Sequence, residues 1–299
     1  MNIKRWITFQ QKRRQVVCEE RAILNTKDIL IYHSRLKDIE VVNNNKKVVG
    51  DKNKPIVCRH IAYYMYETNI KNPNHLAQLN SVVDCIGSKQ GSIDKNLKEQ
   101  NSFKNYFEFN NFWLALFNVY QRDSINTKNL SYLLFSLNHT MAINVKSDHK
   151  SIIKVKIYDP NETNIAYKII STKPKNIMKL DPEMLPISNY FINNSTGFLQ
   201  NFRVDMPEQQ EDFTLIDSTI KTLGWAIRSE NIAQVKRVID DIKLKDASSL
   251  AGYEVPQTMV FSKLSYLLSD TFCKEYLTLC NTMLGDTKAL QFMLHGKYR

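Results

Sequence analysis

The spacing of apolar positions divides the chain into blocks of different period. Residues 1 to about 24 read as a basic helical segment, "KRWITFQQKRR" being its densest run of charge. "DILIYHSRL" (28–36) fits a strand or a helix equally well by periodicity. "EVVNNNKKVVGDKNKP" (40–55) is two short apolar pieces around a polar turn, a hairpin or exposed loop that Pro55 ends. From Cys58 the period becomes helical, with Ile61, Ala62, Met65 and Tyr66 recurring at three and four residues. "NPNHLAQLNSVVDCI" and "SFKNYFEFNNFWLALFNVYQ" read as further helices, the second rich in aromatics that fit core packing.

Alternation then takes over. "HTMAINVK" (139–146) and "SIIKVKIYD" (151–159), separated by "SDHK", predict an antiparallel hairpin. "NIAYKIIST" (164–172) predicts a third strand, and residues 190–218 carry weaker strand and loop signals. After about residue 215 the helical period returns. "TLGWAIRSENIAQVKRVIDDI" reads as a short helix, a polar turn and an amphipathic helix. "FSKLSYLLSDTFCKEYLTLCNTML" repeats that shape about forty residues later, which is how ankyrin-type arrays begin. The fold class expected is therefore α+β: a basic segment over 1–24, a mixed domain over 25–214 and a helical region over 215–299.

Composition narrows this picture without redirecting it. The 299 residues are 43% hydrophobic and 24% charged, enough for a sizeable core. The net charge of +11 is compatible with an anionic partner. The basic residues are spread along the chain with no zinc-finger, RNP-type or KH-type motif, so nucleic-acid binding is not expected. No apolar run is long enough for a transmembrane helix, and the basic N-terminus lacks the apolar region of a Sec signal peptide. Five cysteines (18, 58, 85, 273 and 280) at wide spacings, with no CxxC, suggest neither a disulfide framework nor a zinc site. They fit a reducing compartment, and Cys273 and Cys280 read as core-facing thiols.

Three residues combine into chemistry. His139 starts one predicted strand and Asp159 ends its neighbour, so the hairpin brings them close. An acid there can accept the imidazole Nδ1–H, fix the tautomer and stabilise the imidazolium. Cys58, at the start of a predicted helix in "PIVCRHIAYY", supplies a nucleophile. A helix N-terminus and a nearby imidazolium both lower a thiol's pKa. A cysteine opening a helix and facing a histidine on a sheet is the papain-type arrangement, and the chain order Cys, His, Asp agrees with it. The oxyanion would lie at the Cys58 amide with one more donor, for which Asn53 and neighbouring asparagines are open. The alternatives are weaker. His60 is two residues from Cys58 on the same helix, so the two side chains diverge. His149 falls in the hairpin turn. His33, His75 and His295 lack acid partners in a recognisable context, and Asp148 and Asp181 read as turn residues. No metal or organic cofactor is expected.

"PIVCRHIAYY", "NHTMAINV" and "IYDPNET" together resemble the enterotoxin-like EspL/OspD family of type III secreted effectors, which are similar to papain-like cysteine proteases. The family pattern is an apolar pair followed by Cys-Arg-His, then Asn-His-x-Met-Ala, then Tyr-Asp-Pro-Asn. All three blocks are present between residues 55 and 163. The resemblance implies Cys58 as nucleophile, His139 as base and Asp159 as orienting acid. It also implies delivery through a type III system into the host cytoplasm, with the leading residues as an unstructured secretion signal. The partners implied are a host protein substrate and a secretion chaperone at the N-terminus. Some members cut proteins carrying the RIP homotypic interaction motif and so block necroptotic and inflammatory signalling. An ankyrin-like tail is typical of the family, usually with many more repeats, so this chain reads as a short or truncated member.

Three functions compete at this point. One is a cysteine endopeptidase. The second is another acyl transfer on the same residues, such as deamidation, transglutamination or acyl transfer proper. The third is a non-catalytic adaptor built on the helical tail.

Overall fold

A computed structural model describes residues 18–36, 48–50, 53–71, 76, 79–124, 128–136, 138–148, 152–162, 165–171, 173–191, 195–202, 208, 210–216, 222, 225–227, 229–245, 271, 275 and 278. The chain divides into two compact units, Met1–Leu215 and Ile216–Arg299. The first unit is α+β and contains a nine-stranded mixed sheet. Its strands are β1 (Cys18–Asn25), β2 (Ile29–Leu36), β3 (Ser102–Glu108), β4 (Asn129–Phe135) and β5 (Thr140–Ser147). The remaining four are β6 (Ile153–Tyr158), β7 (Ile165–Ser171), β8 (Thr196–Phe202) and β9 (Gln210–Leu215). They lie in the order β1-β2-β7-β6-β5-β4-β8-β3-β9. Every pairing is antiparallel except β3 with β9, which is parallel.

Among the described residues of this unit, four helices have eight residues or more: α1 (Cys58–Glu67), α2 (Leu79–Ile86), α3 (Gln90–Glu99) and α4 (Phe112–Asp123). The period-2 pattern of the central strands sends alternate residues into two separate cores. Met141, Ile143 and Val145 of β5 and Ile153, Val155 and Ile157 of β6 join Phe112, Trp113 and Leu116 of α4 on one face. Ala142, Leu133 and Tyr158 point the other way, into a core with Ile61, Ala62 and Met65 of α1 and residues of α2 and α3. The sheet is thus covered on both faces. The face under α1 has a small residue, Ala142, where the helix packs.

Two sequence expectations are corrected. Residues 18–24, read as part of a helix, lie in β1 and pair antiparallel with β2. Glu, Arg, Ala and Leu are good helix formers, but pairing with β2 overrides that preference; residues 1–17 lie outside the described set. "SFKNYFEFNNFWLALFNVYQ" is half strand and half helix, β3 followed by α4. Tyr106 and Phe107 are both buried, so β3 is covered on both faces and shows no alternation to betray it. β4 and α3 were not anticipated. "DILIYHSRL" resolves as β2, and the strands expected at 139–146, 151–159 and 164–172 are β5, β6 and β7. Within 40–55 a short antiparallel contact joins Val49 and Pro55, with Ile56 N–H donating to the Val48 carbonyl at 2.8 Å.

The second unit contains α5 (Ile232–Lys245), preceded by a helical piece at 225–227 and a turn at 229–230. Val235 and Val238 of α5 are buried. The second copy of the ankyrin-like pattern, with Cys273 and Cys280, lies outside the described residues apart from three helical positions, 271, 275 and 278.

Ile61 is fully buried at the junction of α1 and the sheet. Ile61→Ala is expected to cost about 2–5 kcal/mol of stability in urea denaturation. A cost below about 1 kcal/mol would show that α1 does not depend on this core.

Candidate active site

Cys58 is the first residue of α1. The preceding Val57 is extended (φ −116°, ψ 167°), so the chain turns sharply into the helix at the cysteine. Cys58 is only partly buried. His139 and Asp159 reach the same place from the sheet. His139 immediately precedes β5 and is held by the β4–β5 turn, where Ser136 N–H donates to the His139 carbonyl at 2.9 Å and His139 N–H donates to Ser136 Oγ at 3.2 Å. Asp159 immediately follows β6, the antiparallel neighbour of β5. The hairpin register, with Ala142 opposite Tyr158, places the two at one end of the sheet.

His139 Nε2 and Asp159 Oδ1 are 2.6 Å apart, and both residues are buried. The acid therefore faces Nε2, not the Nδ1 expected from sequence. Cys58 Sγ is within hydrogen-bonding reach of the same ring, leaving Nδ1 for the sulfur. The structure thus brings together all three residues singled out from sequence.

Three residues that sequence reasoning passed over complete the site: Tyr190, Asn161 and Thr140. The Tyr190 hydroxyl donates to Asp159 Oδ2 at 2.7 Å, and its ring stacks on the imidazole with centroids 4.1 Å apart. Asn161 supports both: its backbone N–H donates to Asp159 Oδ1 at 2.8 Å and its Nδ2 donates to the Tyr190 hydroxyl at 2.9 Å. The Asp159 carboxylate thus receives donors on both oxygens, and one flank of the imidazole is covered by an aromatic plane. The third is Thr140, whose amide and hydroxyl both reach the Cys58 sulfur.

These contacts set the charges. Burial pushes the Cys58 thiol up, but the hydrogen bond and charge of His139, with the two Thr140 donors, bring it below its ordinary value. Burial likewise disfavours a charged imidazole. Asp159 and Cys58 outweigh it and raise His139 to about 9. Both shifts run toward a thiolate–imidazolium pair.

The remaining candidates have other surroundings. His60 is buried, with Nδ1 accepting the Val57 N–H and Nε2 facing Asp94. Asn53 is exposed and left-handed at φ 56°. Asp148 accepts from Ile152 N–H at 2.9 Å, and Asp181 from Glu183 N–H at 2.9 Å, both as turn residues. His75, His149 and His295 lie outside the described residues, as does the side chain of His33. Among the described residues, no cluster of three or more His, Cys, Asp or Glu is placed to hold a metal ion, and no helix is long and apolar enough to cross a membrane.

A family model described as the ShET2 enterotoxin N-terminal region matches residues 13–244, well over half of the chain. The chain belongs to this enterotoxin family. Its coarse functional class is therefore that of a secreted toxin or effector. No curated protein and no solved structure matches it. The matched stretch contains Cys58, His139, Asp159 and Tyr190, so the whole cluster lies inside the ShET2-type region.

Two measurements follow from this geometry. The folded pKa of His139 lies above its ordinary value of 6.5, so the stability its imidazolium contributes is complete below about pH 6.5 and is lost as the pH rises through about 9. In NMR titration the His139 ring protons are expected to move with a midpoint near 9, and Asp159→Asn is expected to lower that midpoint. An unchanged midpoint in the variant contradicts the assignment of Asp159 as the ring's main charge partner. Tyr190→Phe keeps the stacked ring and removes a hydrogen bond to a carboxylate. It is expected to cost about 1.5–3 kcal/mol in denaturant titration, with Tyr190→Ala costing more.

Proposed function

We propose that this ShET2-type region is a cysteine endopeptidase that acts on host proteins. One observation carries the reading: a partly exposed sulfur at a helix N-terminus shares an imidazole with a buried, doubly hydrogen-bonded carboxylate. This is the arrangement of papain-like proteases, and the fold reading that accompanies it is a papain-like domain with an ankyrin-like tail.

The proposed reaction begins with the Cys58 thiolate attacking a peptide carbonyl carbon. A C–S bond forms and the carbonyl electron pair moves to oxygen. That oxyanion would be met by the Cys58 amide at the end of α1, where the helix itself provides no acceptor. His139 then gives its Nδ1 proton to the leaving amine as the C–N bond breaks, leaving a thioester. In the second half His139 takes a proton from water, the resulting hydroxide displaces the thiolate and the acid product leaves. Asp159 does not change protonation; it stabilises the imidazolium and fixes the ring. Tyr190 holds Asp159 and covers the ring.

Resemblance to the EspL/OspD effectors supports delivery through a type III system into the host cytoplasm, with a chaperone at the N-terminus. It also supports substrates bearing the RIP homotypic interaction motif. Deamidation, transglutamination or acyl transfer would share the thioester, and an adaptor would need none of these residues.

Host-cell lysate treated with the wild-type protein should show new protein N-termini by mass spectrometry. They should be absent with Cys58→Ala and with His139→Ala. Carboxamides converted to carboxylates without new N-termini would replace proteolysis with deamidation. A cellular effect that survives Cys58→Ala would favour the adaptor.

A further inference from the structure

Arg59 and His60 follow the proposed nucleophile directly, and the reaction above uses neither. His60 is the third residue of α1 and is only 2% exposed. Its Nδ1 accepts the Val57 N–H at 3.1 Å. Nδ1 therefore carries no proton, and the Nε2–H is left to donate to Asp94 Oδ1, 3.1 Å away. The same Asp94 oxygen accepts the Arg59 Nε–H at 2.8 Å. Burial lowers the His60 pKa most, with Arg59 adding to that and Asp94 opposing it. This agrees with a neutral ring.

In an ordinary capping box the residue before the helix offers a side-chain oxygen, and the third helical residue reaches back to its amide. Val57 has no such oxygen, so only the reverse half exists here, and His60 performs it. The Val57 carbonyl meanwhile accepts His60 N–H at 2.9 Å. Both peptide units around Val57 are thereby fixed, including the one whose N–H belongs to Cys58. α3 grips the chain on the other side of the turn as well. Gln90, one helical turn before Asp94, donates from Nε2 to the Pro55 carbonyl at 3.0 Å. α3 thus holds the backbone before Cys58 through Gln90 and the Arg59 and His60 side chains after it through Asp94.

We propose that His60, oriented by Asp94, is a positioning residue that fixes the backbone of the Cys58 turn, aiming the sulfur at His139 and the Cys58 amide at the reacting oxygen. The inference rests on Cys58 being the nucleophile. His60 touches no reacting atom; it acts through Val57 and the first turn of α1. A glutamine can take over the role, because Gln at this helical position is an established acceptor for the amide before the helix. A leucine of similar bulk cannot.

The test is the rate of Cys58 alkylation by iodoacetamide across a pH series, read by peptide mass mapping in the full chain. His60→Leu is expected to slow Cys58 labelling at mildly acidic pH by on the order of tenfold to a hundredfold, the range seen when a reacting group is slightly misplaced. His60→Gln should restore most of the rate. Asp94→Ala, at a carboxylate whose side chain is 40% exposed, should leave the fold intact and slow labelling severalfold. It decides the matter if His60→Leu fails to fold. Folded His60→Leu and Asp94→Ala proteins that label at the wild-type rate would overturn the positioning role while leaving Cys58 as nucleophile. A Cys58 that labels no faster than ordinary thiols in the wild type would overturn the catalytic reading, and this role with it.

Discussion

The site depends on one imidazole held from both sides. His139 sits between a sulfur that gains from its charge and a carboxylate that gains from it too, and neither partner is placed by its own local sequence. The sulfur comes from the end of a helix, the ring and the acid from adjacent ends of a hairpin. Because the ring and the acid are buried, water screens their interaction weakly, so small changes in geometry are felt as changes in charge state. The architecture around them can be read as a means of holding that geometry. β5 and β6 are central strands paired on both sides, and α1 lies on them over an alanine.

Each of the three residues is braced by a different mechanism. Asp159 is fixed by donors on both oxygens, from His139, Asn161 and Tyr190. His139 is fixed by the Ser136 turn and by the face of Tyr190. Cys58 has no long side chain to brace, so its position is a property of the backbone, which makes the first turn of α1 and its contacts with α3 matter. The family assignment and the site agree on this point: residues 13–244, the ShET2-type region, include the nucleophile, its supports and the covering tyrosine.

Much of this was legible in the sequence, for local reasons. The β5–β6 hairpin shows itself by alternation around a polar turn, and a hairpin fixes which ends meet. That alone was enough to pair His139 with Asp159. The helix from Cys58 shows itself by its three- and four-residue spacing. What was not legible depends on contacts distant in sequence or on burial. Tyr190 lies 31 residues beyond Asp159 in a segment without clear period, and nothing in its neighbours marks it. Asp94 lies 34 residues beyond His60 on a helix that was not anticipated. β3 was hidden because both its faces are covered, and β1 because its helix-forming residues are recruited by a neighbouring strand. The ring nitrogen facing the acid was also misassigned, since that choice is made by ring orientation and leaves no trace in composition or spacing.

The measurement that tests the account most directly is the pH dependence of Cys58 reactivity toward a small alkylating agent, with and without His139. The account predicts a rate that is already high well below pH 7 and loses that acidic limb in His139→Ala. A single rise near the ordinary thiol value of about 8.5, identical in both proteins, would contradict it.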